Sequence, residues 1–470
     1  MLEAELHSVS HVIRWKWLIG IAAAGAVVFF LPAPEGLSVL GKRTLVVLII
    51  AAGAFVTDAL PVPGVALLIP LLLVVFQIDT PDGVASSMMS DSVLFILGSL
   101  MIATVLIKHG VDKRIASLIL ARTGTSTFRV SFGIIAACAL LSSFMSDHMV
   151  AAVMLPVGIA IVESAREESS PSLGKLIMFC IAYGCAIGGM GTPSGGARNA
   201  IMLAYLHQLF GVQVSYGQWA VAAFPIVLVN IPVTAVILTR IFKPEVKDLG
   251  KVLQGFQRKG SQIHSMKREE KISIAVFAVV VVLWILVGTR FGLGMIALFG
   301  AVLYLLCGVV EWAEYQRGVA WGVVLLYSGA ISLGIAMMET GAARFLAEEF
   351  LSVLSSLGLH SGQSFAASVA FLTMLMTQSM SDGAAVAVLG PINLNLAALS
   401  GVSVVQVGLA TACSAAFAYL LVIGTPPNAI VSSSGYVLPR DFLKAGVIQF
   451  MASYLILLFF IMVVWRILGI

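Results

Sequence analysis

Two stretches of this chain repeat each other. Ser146-Asp147, eight residues and Pro156 recur as Ser381-Asp382, eight residues and Pro391, at an offset of 235. Gly191-Thr192-Pro193 with Asn199-Ala200-Ile201 recurs as Gly424-Thr425-Pro426-Pro427 with Asn428-Ala429-Ile430. Its offset is 233 at the glycine and 229 at the asparagine, which puts four extra residues in the first copy. Gly98 and Gly110 match Gly329 and Gly341 at 231. Offsets this close make the chain two homologous halves joined by a loop, and what one half folds into the other must mirror.

The medium follows from composition. Of 470 residues, 60% are hydrophobic and 11% charged, against about 25% charged in soluble domains. A soluble enzyme, a disordered chain and a nucleic-acid-binding protein are excluded; an all-α polytopic membrane protein remains. At about 20 residues per crossing there is room for roughly ten to twelve spans. The apolar runs place them near 17–31, 44–59, 61–78, 92–108, 218–240, 271–289, 292–310, 320–339 and 447–465. The runs 131–163 and 364–397, each split by a polar Ser-Asp tip, read as re-entrant hairpins. The runs 175–210 and 402–436, each interrupted at Gly-Thr-Pro, read as broken helices. The first repeat is then 1–239, a basic loop occupies 240–271, and the second repeat is 272–470. The five cysteines lie in apolar runs without metal or redox spacing, as small core residues do.

Five crossings separate the hairpins, an odd number, so the repeat is inverted across the membrane. The loop Arg240 to Lys271 carries nine Lys/Arg and four Asp/Glu, which marks it as cytoplasmic. Counting back puts the first hairpin and the N-terminus on that side, in a cell (inner) membrane. The second hairpin enters from outside. Lys42 and Arg43 then fall outside, against the bias.

Irregular backbone survives at membrane depth only inside protein or beside a cavity. Two polar tips and two breaks, paired by the repeat, point to one central site. Half-helix N-termini favour anions and unwound carbonyls favour cations, a combination suited to moving an anion with a small cation. Asp147 and Asp382 are costly at that depth and functional by default. One turn before them lie the hydroxyls of Ser142 and Thr377, again 235 apart. With the main chain at Gly191 and Gly424, these are hard oxygen donors for Na⁺. A proton on a carboxylate is the alternative coupling ion. No cofactor is indicated.

These motifs resemble the divalent anion/Na⁺ symporters, the dicarboxylate and sulfate transporter family, over nearly the whole chain. In that family each hairpin tip bears Ser-Asn-Thr and each broken helix a Thr/Ser-Pro-Pro/x-Asn motif. They align here with Ser146-Asp147-His148, Ser381-Asp382-Gly383, Thr192-Pro193 with Asn199, and Thr425-Pro426-Pro427-Asn428. The resemblance implies about eleven spans in a homodimer, with scaffold and elevator-type transport domains. It implies Na⁺ sites at the motif residues, which adds the motif serines Ser146 and Ser381 to the oxygen donors. It also implies a substrate held between tips and breaks, which makes Asp147, His148, Thr192, Arg198, Asn199, Asp382, Gly383, Thr425, Pro426 and Asn428 the candidate substrate contacts.

This chain departs from the family at the tips. Both Asn are Asp, and the two Thr are His148 and Gly383. Two added negative charges in an anion site need neutralising by Na⁺, by a proton, by His148, or by Arg198 within the four-residue insertion. The function expected is secondary active transport of a small di- or tricarboxylate with Na⁺ or H⁺. The alternatives are an inorganic oxyanion, sulfate or bicarbonate, and Na⁺/H⁺-type antiport, which a fixed Arg198 disfavours. Enzymatic chemistry is not expected: consecutive Ser146-Asp147-His148 point about 100° apart on a helix and form no triad.

Overall fold

The computed structural model describes residues 13–165, 171–250, 266–356 and 362–470, and among them the secondary structure is helical, with one isolated bridge, Ser126 to Asp248. The first half comprises α1 (Trp15–Phe30), α2 (Val39–Thr57), α3 (Val62–Val75), α4 (Pro81–Met88), α5 (Asp91–Lys108), α6 (Val111–Thr123), α7 (Thr127–Ser142), α8 (Asp147–Ser164), α9 (Pro171–Gly188), α10 (Ala197–Phe210) and α11 (Tyr216–Phe242). The second comprises α12 (Arg268–Phe291), α13 (Leu293–Leu306), α14 (Trp312–Gly318), α15 (Trp321–Glu339), α16 (Ala342–Ser356), α17 (Gly362–Met376), α18 (Asp382–Leu399), α19 (Val404–Ala415), a 3₁₀ turn Val422–Gly424, α20 (Pro426–Ser432) and α21 (Pro439–Phe459), which runs through a π turn, Phe460–Val464, into α22 (Trp465–Ile467). Nine helical stretches among the described residues are long and apolar enough to cross a membrane. Side-chain caps start several helices: Ser126 accepts from Arg129 N before α7, Ser215 and Gln218 form a capping box before α11, and Ser381 accepts from Ala384 N before α18.

The sequence repeat reappears as repeated packing. A Cβ on Gly98 of α5 would lie 2.5 Å from Cβ of Ala297 on α13; one on Gly329 of α15 would lie 2.4 Å from the carbonyl oxygen of Ala66 on α3. Both glycines and both alanines are 231 apart, so each half lends a helix to fill the other half's notch. Gly110 and Gly341, after α5 and α15, both have positive φ, 71° and 78°, which favours glycine.

The breaks correct one expectation. Asn199 Nδ2 donates to Gly189 O (2.8 Å) and Thr192 O (2.7 Å); Asn428 Nδ2 donates to Ala418 O (2.8 Å) and Leu421 O (2.9 Å). Each amide reaches back ten and seven residues, so the breaks are equal in length. Arg198 corresponds to Pro427, not to an insertion. The hairpins keep their offset of 235 and the breaks 229, so the difference lies in the connection from hairpin to broken helix, which is six residues shorter in the second half.

Four helices went unread in the sequence, α4, α6, α14 and α16, because they are short or amphipathic and hydropathy marks spans rather than connectors. The basic loop is anchored before it leaves the described residues at 250: Leu249 N donates to Thr125 O (2.8 Å) and Thr127 N to Lys247 O (3.0 Å), at the root of the first hairpin. Residues 251–265, the middle of that loop, lie outside the described residues. Lys42 and Arg43 cap helix ends: Lys42 Nζ donates to Phe29 O and Leu31 O, Arg43 to Phe76 O. Four cysteines are buried as expected, whereas Cys307 is exposed at the end of α13, where the packed face has run out.

Candidate functional site

The second helix of each broken pair packs on the opposite half's hairpin: α10 lies on α18, and α20 on α8. Tyr205 pins the first crossing, donating to Ala387 O (3.1 Å) of α18 and Ala330 O (2.8 Å) of α15, with Gly390 and Gly334 making room for its ring. The starts of α8, α10 and α18 therefore converge, and these starts carry Asp147, Arg198 and Asp382.

Arg198 is fully buried. Its Nη1 donates to Asp382 Oδ2 and, at 3.4 Å, to Asp147 Oδ2. Its Nη2 reaches Ala186 O at 3.3 Å, and Nε has no hydrogen-bond partner. Each aspartate holds its other oxygen on its own helix: Asp147 Oδ1 accepts from His148 N (2.8 Å), Asp382 Oδ1 from Gly383 N (2.6 Å). One guanidinium thus ties together the tips of both hairpins. Glycines make the space: a Cβ on Gly189 would lie 2.5 Å from Nη2, and one on Gly196 3.1 Å from Cζ. One buried cation between two carboxylates leaves a formal surplus of one negative charge.

Around this bridge lie two matched oxygen clusters. Ser142 Oγ donates to Cys185 O (2.7 Å) and Thr377 Oγ1 to Ala415 O (3.0 Å). Ser143 Oγ donates to Gly188 O (3.0 Å), and Gln378 Nε2 to Phe417 O (2.9 Å). Gly195 backs onto Ser142 O and Gly189 O; Gly424 backs onto Thr377 O and Ala418 O. The main-chain partner of Gly424 is therefore Gly195. Gly191 instead packs beside Ser143 Oγ and Phe224. The 229 offset of the asparagines was the signal for Gly195, and the Gly-Thr-Pro match concealed it. The stapling leaves the acceptors Asn199 Oδ1 and Asn428 Oδ1 buried without a partner, and Thr425 Oγ1 likewise. Buried polar atoms are nearly always satisfied, so three orphans beside two breaks mark places for a bound group. Carboxamide, hydroxyl and main-chain oxygens suit Na⁺ by hardness.

The remaining expected residues divide. Ser146 Oγ bonds His148 Nδ1 at 2.6 Å, and that ring nitrogen stands 3.7 Å from Asp147 Oδ1; His148 is partly exposed beside the bridge. Ser381 caps α18, and Gly383 is buried beneath it. Thr192 is held by structure: its hydroxyl donates to Ser143 O and accepts from Tyr216 OH (3.0 Å), which also meets Ser194 Oγ at 2.9 Å. Pro426 is exposed, at the first turn of α20, where proline suits a helix start. A small cavity of about 30 Å³ opens among Ser146, Pro193, Ser194, Gly196, Ala200 and Tyr327.

Comparison with known proteins supplies the context. The family model described as the sodium:sulfate symporter transmembrane region matches residues 12–470. The chain is 28% identical over 446 residues to the sodium-dependent dicarboxylate transporter SdcS of Staphylococcus saprophyticus, covering 88% of this chain and 84% of that protein. It is 27% identical over 440 residues to SdcS of Staphylococcus aureus strain USA300, with the same coverage. Among solved structures, the YdaH transporter of Alcanivorax borkumensis, described as having an unusual topology, matches with a TM-score of 0.54 at 13% identity, over 82% of this chain and 86% of that one. That likeness speaks to the fold.

Proposed function

Because the chain belongs to the sodium:sulfate symporter family, we propose that it is a secondary active transporter carrying a small dicarboxylate into the cell with Na⁺. The observation that carries this reading is Arg198, buried between Asp147 and Asp382 where the two hairpin tips meet the first break. It is a fixed, buried positive charge where the hairpin tips meet, with one donor, Nε, still free. The unpartnered oxygens of Asn199, Asn428 and Thr425, at the two breaks, serve as cation ligands, together with Ser142, Thr377 and the main chain at Gly195 and Gly424. The relatives named as sodium-dependent dicarboxylate transporters support both cargo and coupling ion. Transport proceeds by alternating access: the hairpins and broken helices of the two inverted repeats move as one body against α2, α3, α5, α12, α13 and α15, in a dimer with its N-terminus in the cytoplasm.

The test is uptake of labelled succinate by purified protein in liposomes under an inward Na⁺ gradient, with sulfate and bicarbonate as competitors and a pH gradient as the alternative drive. Na⁺-driven uptake inhibited by unlabelled dicarboxylates is expected. Uptake indifferent to Na⁺ but driven by pH would replace the coupling ion. Accumulation of sulfate with no succinate uptake would replace the cargo.

A further inference from the structure

Asp147 and Asp382 occupy Arg198 in the way a cargo carboxylate would. Each presents Oδ2 to the guanidinium while Oδ1 stays fixed on its own helix. The Asp147 contact, at 3.4 Å, is loose. Building on the carboxylate-carrier reading, we infer that the two aspartates are an internal substitute for the substrate: they discharge Arg198 in the empty carrier and let it return without cargo.

The physical reasoning concerns the return step. A guanidinium that only cargo can neutralise is stranded when cargo leaves, because a lone buried charge is costly. Such a carrier crosses only when loaded and exchanges one anion for another. Here the carboxylates belong to the protein, one from each hairpin; they outnumber the guanidinium by one charge, so a single retained cation or proton completes the balance and the emptied site closes on itself. When a substrate carboxylate takes Arg198, it displaces the aspartates, whose charges then require cations. Cation and anion binding are thereby coupled through one exchange of ion-pair partners, and the outcome is net uptake.

The experiment compares the wild type, Asp147→Asn/Asp382→Asn, and that double variant with Arg198→Ala added, each in liposomes. Asparagine keeps a side-chain oxygen at both tips and removes the charge. Two readouts are taken: succinate entry into empty liposomes against entry into succinate-loaded ones, and, with no anion present, labelling by an impermeant maleimide from each side of a cysteine at Ser194 in a cysteine-free background. In the double variant net entry should fall about tenfold or more relative to exchange, as expected for a stranded charge, and anion-free labelling should be confined to one side. Adding Arg198→Ala should restore labelling from both sides. Should the double variant fold poorly, Asp382→Asn alone carries the same comparison with a smaller effect. Unchanged net-to-exchange ratio, or two-sided labelling of the double variant without anion, overturns the inference. If the wild type moves no succinate at all, the dicarboxylate reading fails, and the anion-free labelling still decides whether the aspartates discharge Arg198.

Discussion

Replacing Arg198 by alanine is the sharpest perturbation this site offers. Nη1 stands 3.4 Å from Asp147 Oδ2 and closer to Asp382. At an effective dielectric near 20, two unit charges at that separation interact by about 5 kcal/mol. Breaking a buried pair by removing one member costs about 3–5 kcal/mol, because the remaining charge is left uncompensated. In Arg198→Ala two carboxylates are left facing each other. In Na⁺-free buffer the variant should therefore melt several degrees lower than the wild type. Added Na⁺ should recover much of that loss, since a ligand at 100 times its Kd stabilises by about 2.7 kcal/mol. Na⁺ affinity should rise while succinate affinity falls, by at most about three and a half decades at 1.4 kcal/mol per tenfold. Arg198→Lys should recover part of the succinate affinity, less than fully: an ammonium can replace Nη1, which alone meets both carboxylates, but it loses the second arm of the guanidinium, Nη2, on Ala186 O. Thermal unfolding across a Na⁺ titration in detergent, with succinate binding by calorimetry, measures all of this. A variant whose melting, Na⁺ dependence and succinate affinity match the wild type would refute the assignment of Arg198 as the charge that balances the aspartates.

Further expectations follow from the same geometry. Gly189→Ala would place a Cβ 2.5 Å from Arg198 Nη2, so it should displace the guanidinium and raise the KM for the anion at least severalfold while the protein elutes as a normal species on gel filtration. Asn199→Ala and Asn428→Ala each strand two main-chain carbonyls and remove an oxygen; each should destabilise by about 1–3 kcal/mol and weaken the Na⁺-dependent rise in melting temperature, the two by similar amounts. Gly329→Ala pushes a Cβ to 2.4 Å from the Ala66 carbonyl and should cost about 1–3 kcal/mol as overpacking, read by thermal unfolding, with no change in the ion dependence of transport.

The sequence exposed the pairing of the hairpins because a charged residue in an apolar run has few structural excuses, and Asp147 and Asp382 stand out against their neighbours. It also exposed Arg198, through the need to balance two added carboxylates. The register of the breaks was harder to see. Gly-Thr-Pro is a conspicuous string, yet the element that fixes the loop is a single carboxamide reaching back ten residues, and only coordinates reveal that reach. Gly195 was missed for this reason, as were Gly189 and Gly196, whose role is to lack a side chain where the guanidinium lies. Thr192 has a partner that its motif gave no hint of: Tyr216, 24 residues on, donates to its hydroxyl.

The exchanged notches of the two halves bear on how the chain is made. Gly98 leaves the ribosome about 200 residues before Ala297, which covers it. At about 5–20 residues per second that interval is some 10–40 s. Through it, α5 sits in the bilayer with its notch open to acyl chains, and α3 waits still longer for α15. These notches of the first half are thus inserted long before their partner helices cover them. These small-residue grooves are held by lipid until protein displaces it, so that final assembly is a solvent exchange within the membrane, gated by translation of the second half.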